Sequence, residues 1–267
     1  MNLGGRPGVP PLLWAVTLAV SVFTLVPMGV SITAGLLVNY ADGFSAGFTT
    51  RWLGEVWAGH GETAWHSVVL ALACTATTLA AGVPCAYALA RSRSRAARVY
   101  EELLTLPVAV PGLATALALI LAYGSWRGFR QSYAFILAGH IVFTLPFMVR
   151  TVAAAFCRDE LVALDEAART LGAGFVQRVL GVLIPAVAPS LVAGALMVFT
   201  LSVGEFNLTW MLHTPLTRTL PVGLADSYAS MRIEIGSAYT LVFFAVVLPV
   251  LGLMQLLAGA LEGRHGK

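Results

Sequence analysis

Six stretches of this chain are each long enough and apolar enough to cross a lipid bilayer, and that property excludes most folds. Crossing a hydrocarbon core of about 30 Å takes roughly 20 mostly apolar residues in a helix. The stretches fall at residues 12–38, 64–90, 103–123, 133–155, 186–212 and 238–261. A helix satisfies its own backbone hydrogen bonds, which lipid cannot do for it. The expected fold class is therefore an all-α membrane protein with six transmembrane helices. Composition agrees. Of 267 residues, 58% are hydrophobic and 11% charged, against about 25% charged in a soluble domain. The first stretch is too long, and too far from a small-residue cleavage pattern, to be a removable signal peptide, and it reads as an uncleaved span. Pro27, Pro107, Pro111, Pro146 and Pro249 lie in or near spans. Neighbouring helices can satisfy the backbone groups that such residues free.

The basic residues set an expected orientation. An even number of spans puts both termini on one side. That side holds Arg6, Arg91, Arg93, Arg95, Arg98, Arg150, Arg158, Arg169, Arg178, Arg264 and Lys267; the other holds Arg51, Arg127, Arg130, Arg218 and Arg232. Eleven against five makes the first side cytoplasmic, and with it both termini, residues 1–11, and the loop 156–185. The run RSRSRAAR, Arg91 to Arg98, reads as a topology anchor. On the opposite side, the stretch between spans one and two carries Trp52, Trp57 and Trp65, whose indoles favour the headgroup level. An aromatic belt or a docking surface for an external partner would both fit.

Several function classes drop out. The net charge of +3 is scattered over short loops, so no nucleic-acid footprint forms. Cys74, Cys85 and Cys157 have neither metal-like nor disulfide-like spacing. Ser21, Ser67 and Ser202 lack a nucleophile motif, and the histidines lack metal spacing, so neither an enzyme, a cofactor nor a metal is expected. A secondary transporter driven by an ion gradient is the alternative reading; it calls for paired intramembrane acids or inverted repeats, and this chain offers one strong intramembrane acid.

One segment breaks the apolar pattern: DEAARTLGAGFVQRVLGVLIPAVAP, Asp165 to Pro189. Asp159 is suited to cap a helix upstream of it. Leu161, Leu164, Ala168 and Leu171 are spaced to share one face of that helix. Gly172 offers a left-handed stop, a second short helix restarts near Phe175, and Pro185 marks the beginning of span five. The expected product is a helix–turn–helix elbow whose apolar ridge packs either on the protein's own helix ends or on a partner.

Glu166-Ala167-Ala168, then Gly172, then Val182-Leu183-Ile184-Pro185 resembles the EAA motif of type I ABC importer permeases. The match falls at Glu166, Ala167, Ala168, Gly172, Ile184 and Pro185, with Val182 where Ile is common. Six spans with this loop between the fourth and fifth resemble the same family's layout over most of the chain. The resemblance implies a permease subunit that forms half of a solute pathway in the cell inner membrane. It implies that the elbow is the coupling helix for a separate ATPase, with Glu166, Ala167, Ala168, Gly172, Pro185, Leu164 and Leu171 as its coupling residues. Implied partners are an ABC ATPase dimer, a second permease subunit, identical or homologous, and an extracytoplasmic solute-binding protein. The sequence resembles the permeases for polyamines, ferric iron, thiamine and phosphonates, with sulfate-type permeases behind. No phosphate-binding loop is present: the nearest string, Gly263 to Lys267, lacks the length, the final Ser or Thr and the strand–helix setting.

Polar groups inside spans are costly and so mark candidate pathway positions. Glu205 stands out, with Asn207 and Thr209 as hydrogen-bonding companions. A carboxylate there would meet a cationic solute such as a polyamine or an aminophosphonate, or it would pair with a neighbouring helix; both readings stand. His140 reads as a helix–helix hydrogen-bonding residue.

Overall fold

The computed structural model describes residues 11–265. In chain order the helices are α1 (Pro11–Ala34), α2 (Arg51–Arg91), α3 (Arg95–Ala109), α4 (Gly112–Tyr123), α5 (Arg127–Arg130), α6 (Tyr133–Phe156), α7 (Asp159–Thr170), α8 (Phe175–Arg178), α9 (Ile184–Val203), α10 (Asn207–Leu212), α11 (Leu220–Ala229) and α12 (Ile233–His265). Arg6 and Lys267, counted above for orientation, lie outside the described residues, as do most of residues 1–11 and part of the Gly263 to Lys267 string.

Five helical stretches are long and apolar enough to cross a membrane: Leu12–Ala34, Gly61–Arg91, Tyr133–Phe156, Phe175–Val203 and Ile233–Leu256. The sixth crossing differs from the expected single span at 103–123. In its place stands the pair α3 and α4, bent by 107°, which is either a broken span or a re-entrant loop. Pro111 has no N–H to extend the α3 ladder, and it drives Val110 into extended backbone (φ −88°, ψ 133°). The expected span 186–212 also changes. Its helix runs on from Phe175 without a gap, stops at Gly204, and resumes as the short α10. The expected external loop is largely helical too: α2 starts at Arg51, so Trp52, Trp57 and Trp65 ride on a helix rather than a loop.

The chain forms two compact units. In the first, residues 11–60 with 224–243, α1 approaches α12 closely at Gly35, where an added Cβ would lie 2.8 Å from the Ala238 nitrogen. Trp52 Nε1 donates to the Leu37 carbonyl at 2.9 Å, and Arg232 pairs with Glu55 at 2.7 Å. Most of α1 from Leu12 to Val30 is exposed apolar surface, as a lipid-facing helix should be.

The second unit, residues 61–223 with 244–265, packs α2, α6 and α9 around Met148. A Cβ at Gly82 on α2 would sit 2.8 Å from Met148 Cγ, and one at Gly194 on α9 would sit 2.8 Å from its sulfur. Two glycines thus clasp one flexible thioether, the small-residue packing that brings membrane helices together. Val152, Phe156, Leu183 and Val198 fill the rest of this core.

Candidate functional site

Two polar assemblies interrupt the apolar second unit. The first is the elbow between α6 and α9. Its first arm, α7, begins with Asp159 and Glu160 in the opening turn, where they oppose the helix dipole. Asp159 is not the cap expected of it: Arg158 holds the N-cap position, and no side chain caps the helix there. At the other end the chain reverses at Gly172, φ +84°. Gly172 N–H donates to Arg169 O and Ala173 N–H to Ala168 O, both at 3.0 Å, the paired bonds of a Schellman stop. No atom lies within 4 Å of where a Cβ would be at Gly172, so the backbone alone demands glycine. The second arm, α8, starts at Phe175, and the Gln177 side chain accepts from the Gly174 N–H at 3.0 Å. A π-helical turn, Val179–Leu183, carries it into α9, where Pro185 lies in the first turn, needing no N–H of its own.

The apolar stripe expected on α7 splits. Leu161 is buried in the core around Met148, whereas Leu164 is 48% exposed and Leu171 88% exposed. The outward set continues on the second arm with Val176 and Leu180. Glu166 and Ala167 are exposed, and Ala168 is half-buried.

What holds the elbow in place is a residue the sequence does not single out. Asp165 Oδ1 lies 2.9 Å from Arg178 Nε on α8, and Oδ2 lies 3.4 Å from Arg91 Nη2 at the end of α2. All three side chains are mostly buried, and Arg91 also lies over the Tyr87 ring. One carboxylate thus ties both arms of the elbow to α2. Only the opposite charges hint at this in the sequence, and Arg91 is too distant along the chain for spacing to reveal it.

The second assembly lies within the spans. His140 on α6 bonds Ser202 Oγ through Nδ1 and Thr209 Oγ1 through Nε2, both at 2.8 Å. Glu205 occupies the gap between α9 and α10, and its oxygens accept from Leu208 N–H, Thr209 N–H and Thr209 Oγ1, each at 2.9 Å. When Thr209 donates to Glu205 it must accept from His140, so the ring carries its proton on Nε2 and Ser202 donates to Nδ1. The result is a chain of bonds from Ser202 through His140 and Thr209 to Glu205, with no lone pair misdirected. Glu205, one residue ahead of the N-cap Phe206, thus accepts from the free N–H groups of the first turn of α10, while Thr209 is fully buried and Asn207 is exposed.

The two helix breaks meet here. A Cβ at Gly112, the first residue of α4, would lie 3.4 Å from Asn207 Cβ and 3.8 Å from Glu205 Oε1. Discontinuous helices that face one another at membrane depth are how transport proteins build solute sites. Pro111 and Gly112 belong to this junction, and nothing in the sequence marks Pro111 as more than a tolerated proline.

A multi-pass helical bundle with two facing helix breaks and a helical elbow has the architecture of a membrane transport subunit. Residues 78–263 match the family of binding-protein-dependent transport system inner membrane components, and the chain belongs to that family. Among relatives, it is 29% identical over 212 residues to the putrescine transport system permease protein PotI of Escherichia coli, covering 75% of this chain and 74% of PotI. It is 26% identical over 220 residues to the spermidine/putrescine permease PotC of the same organism, covering 82% and 81%. It is 32% identical over 170 residues to the molybdenum transport system permease ModB of Mycobacterium tuberculosis, covering 58% and 64%. Two solved transporters share the fold. One is the inward-facing methionine ABC transporter MetNI (TM-score 0.61, 17% identity, 76% of this chain and 94% of that chain). The other is a bacterial ABC transporter that imports the acidic polysaccharide alginate (TM-score 0.65, 20% identity, 94% and 98%). The chain is a multi-pass inner-membrane protein that serves transport, not catalysis.

Proposed function

We propose that this permease forms half of an ATP-driven import pathway and takes its power stroke through the elbow from Asp159 to Pro185. The supporting observation is the elbow itself. Its two arms meet at a glycine of φ +84°, are tied to α2 by Asp165, and present Leu164 and Leu171 outward. A short lever fastened to the ends of spans can turn a partner's rigid-body shift into helix tilt. In this reading Leu164 and Leu171 enter a groove on a cytoplasmic ATPase dimer. Glu166 faces that subunit, Ala167 and Ala168 keep the arm slim, Gly172 makes the reversal, and Pro185 starts the span that moves. A second permease completes the pathway, and an extracytoplasmic solute-binding protein loads it. The test is Leu171→Asp in the assembled transporter: the ATPase should no longer co-purify while the permease still inserts. Full co-purification with normal transport would remove the elbow from the coupling path.

The solute pathway runs, in this reading, along the junction of the two helix breaks, where exposed Asn207 meets Gly112. A polyamine is the cargo suggested by the names of PotI and PotC and by the acid at 205. A molybdenum oxyanion is the second reading, supported by the likeness to ModB and by the engagement of both Glu205 oxygens within α10, which leaves the carboxylate little capacity for a cation. Aminophosphonate, ferric iron and thiamine are the further cargoes that the family resemblance suggests. Uptake by transporter-bearing vesicles of putrescine and of molybdate, with Glu205→Gln beside the natural protein, separates the readings. Putrescine uptake weakened by Glu205→Gln supports the first, and molybdate uptake without putrescine uptake supports the second.

A further inference from the structure

Beside the Asp165 pairings lies a cavity of about 290 Å³, lined by Arg91, Arg93, Arg169 and Arg178 together with Asp165 and Glu166. Four guanidinium groups against two carboxylates leave it a formal charge of +2. Asp165 is shared between Arg91 and Arg178, and Arg93 and Arg169 have no ion-pair partner among the described residues. The three side chains of the ion-pair cluster are mostly buried, while Arg93 and Arg169 leave their guanidinium groups free at its mouth. The volume is ample: a water molecule takes about 30 Å³ of liquid, so a tetrahedral oxyanion with its waters fits. Guanidinium forks match the paired oxygens of a phosphate.

We propose that this cavity binds a phosphate group. Its position favours the headgroup of an anionic phospholipid. Arg91 is the last residue of the apolar stretch Gly61–Arg91, and Arg178 lies in the first turn of Phe175–Val203. Both stand at the ends of stretches long and apolar enough to cross a membrane, and a span that ends there brings them to the depth of lipid phosphates. Free inorganic phosphate shares the chemistry and is the other source. The site does not depend on the elbow's being an ATPase lever.

The test is native mass spectrometry of the full-length chain in detergent, offered short-chain phosphatidylglycerol, short-chain phosphatidylcholine or inorganic phosphate. Arg93→Gln and Arg169→Gln serve as variants, because both side chains are exposed and hold no other element in place. Retention of phosphatidylglycerol over phosphatidylcholine, weakened about five-fold by each substitution, establishes a lipid phosphate site. Retention of inorganic phosphate with equal treatment of the two lipids, weakened in the same variants, keeps the phosphate site and assigns it to the free ion. Retention of none of the three, or retention that both variants leave unchanged, overturns the proposal.

Discussion

Asp165 Oδ1 lies 2.9 Å from Arg178 Nε, across the turn that Gly172 makes. That pair closes the elbow on itself, and the 3.4 Å approach of Arg91 fastens it to α2. Removing one member of a largely buried charge pair leaves the other uncompensated, at a cost well above that of a surface pair. Asp165→Asn is expected to destabilise the second unit by about 1–3 kcal/mol. Hydrogen exchange should quicken first in α7 and α8. Asp165→Arg combined with Arg178→Asp should restore protection in α7 if attraction across the turn is what matters. A double variant no better than either single one would assign the effect to Arg91 instead.

Gly172 offers a cleaner experiment, because open space surrounds the position. Any loss on substitution comes from the positive φ alone. Gly172→Ala is expected to cost about 1–2 kcal/mol, and Gly172→Asn less, since Asn tolerates the left-handed region better. Thermal unfolding of the purified protein would rank the three. Equal melting of the Ala and Asn variants would point to something other than backbone strain.

Much of this was legible in the sequence, for identifiable reasons. Length and apolarity announce a membrane span whatever its neighbours are, so the long helices needed no tertiary information. The turn of the elbow was legible because helix stops are local: Gly172 and the restart at Phe175 stand where the residue types demand, although Asp159 enters the first turn of α7 instead of capping it. The misses are of another kind. Pro111 in an apolar run can either kink a span or break it, and only the packing of Gly112 against Asn207 selects the break. The bonds of Glu205 to the Leu208 and Thr209 N–H groups are not legible in the sequence, because those groups become free only where α9 stops at Gly204. Leu161 parted from Leu164 and Leu171 because helical spacing defines a face but not what lies against it. Arg91 and Asp165 are joined by the fold alone.

The buried hydroxyl–imidazole chain gives a third prediction. Thr209→Val keeps the shape but removes the acceptor for His140 Nε2 and one donor to Glu205. The loss should be about 1 kcal/mol, since membrane hydrogen bonds average less than their surroundings suggest. Thr209→Ser should retain most of the stability by keeping the hydroxyl. Unfolding of the three proteins in a denaturing-detergent titration would show the order. A Val variant as stable as the natural protein would mean that the two hydroxyl bonds add nothing net to stability.

Met148 carries the last prediction. A methyl group added at Gly82 would press on Met148 Cγ at 2.8 Å, and one added at Gly194 would press on its sulfur at the same distance. Overpacking a tight core costs about 1–3 kcal/mol, so Gly82→Ala and Gly194→Ala should each destabilise. Shortening the clasped side chain makes room, and Met148→Ala should cost less in either glycine variant than in the natural protein. Residues that share one cavity depart from additivity in this way. A double-mutant cycle on melting temperature measures the coupling directly. Strict additivity would show that α2 and α9 shift apart rather than compress the thioether, so that the clasp is not what sets their spacing from α6.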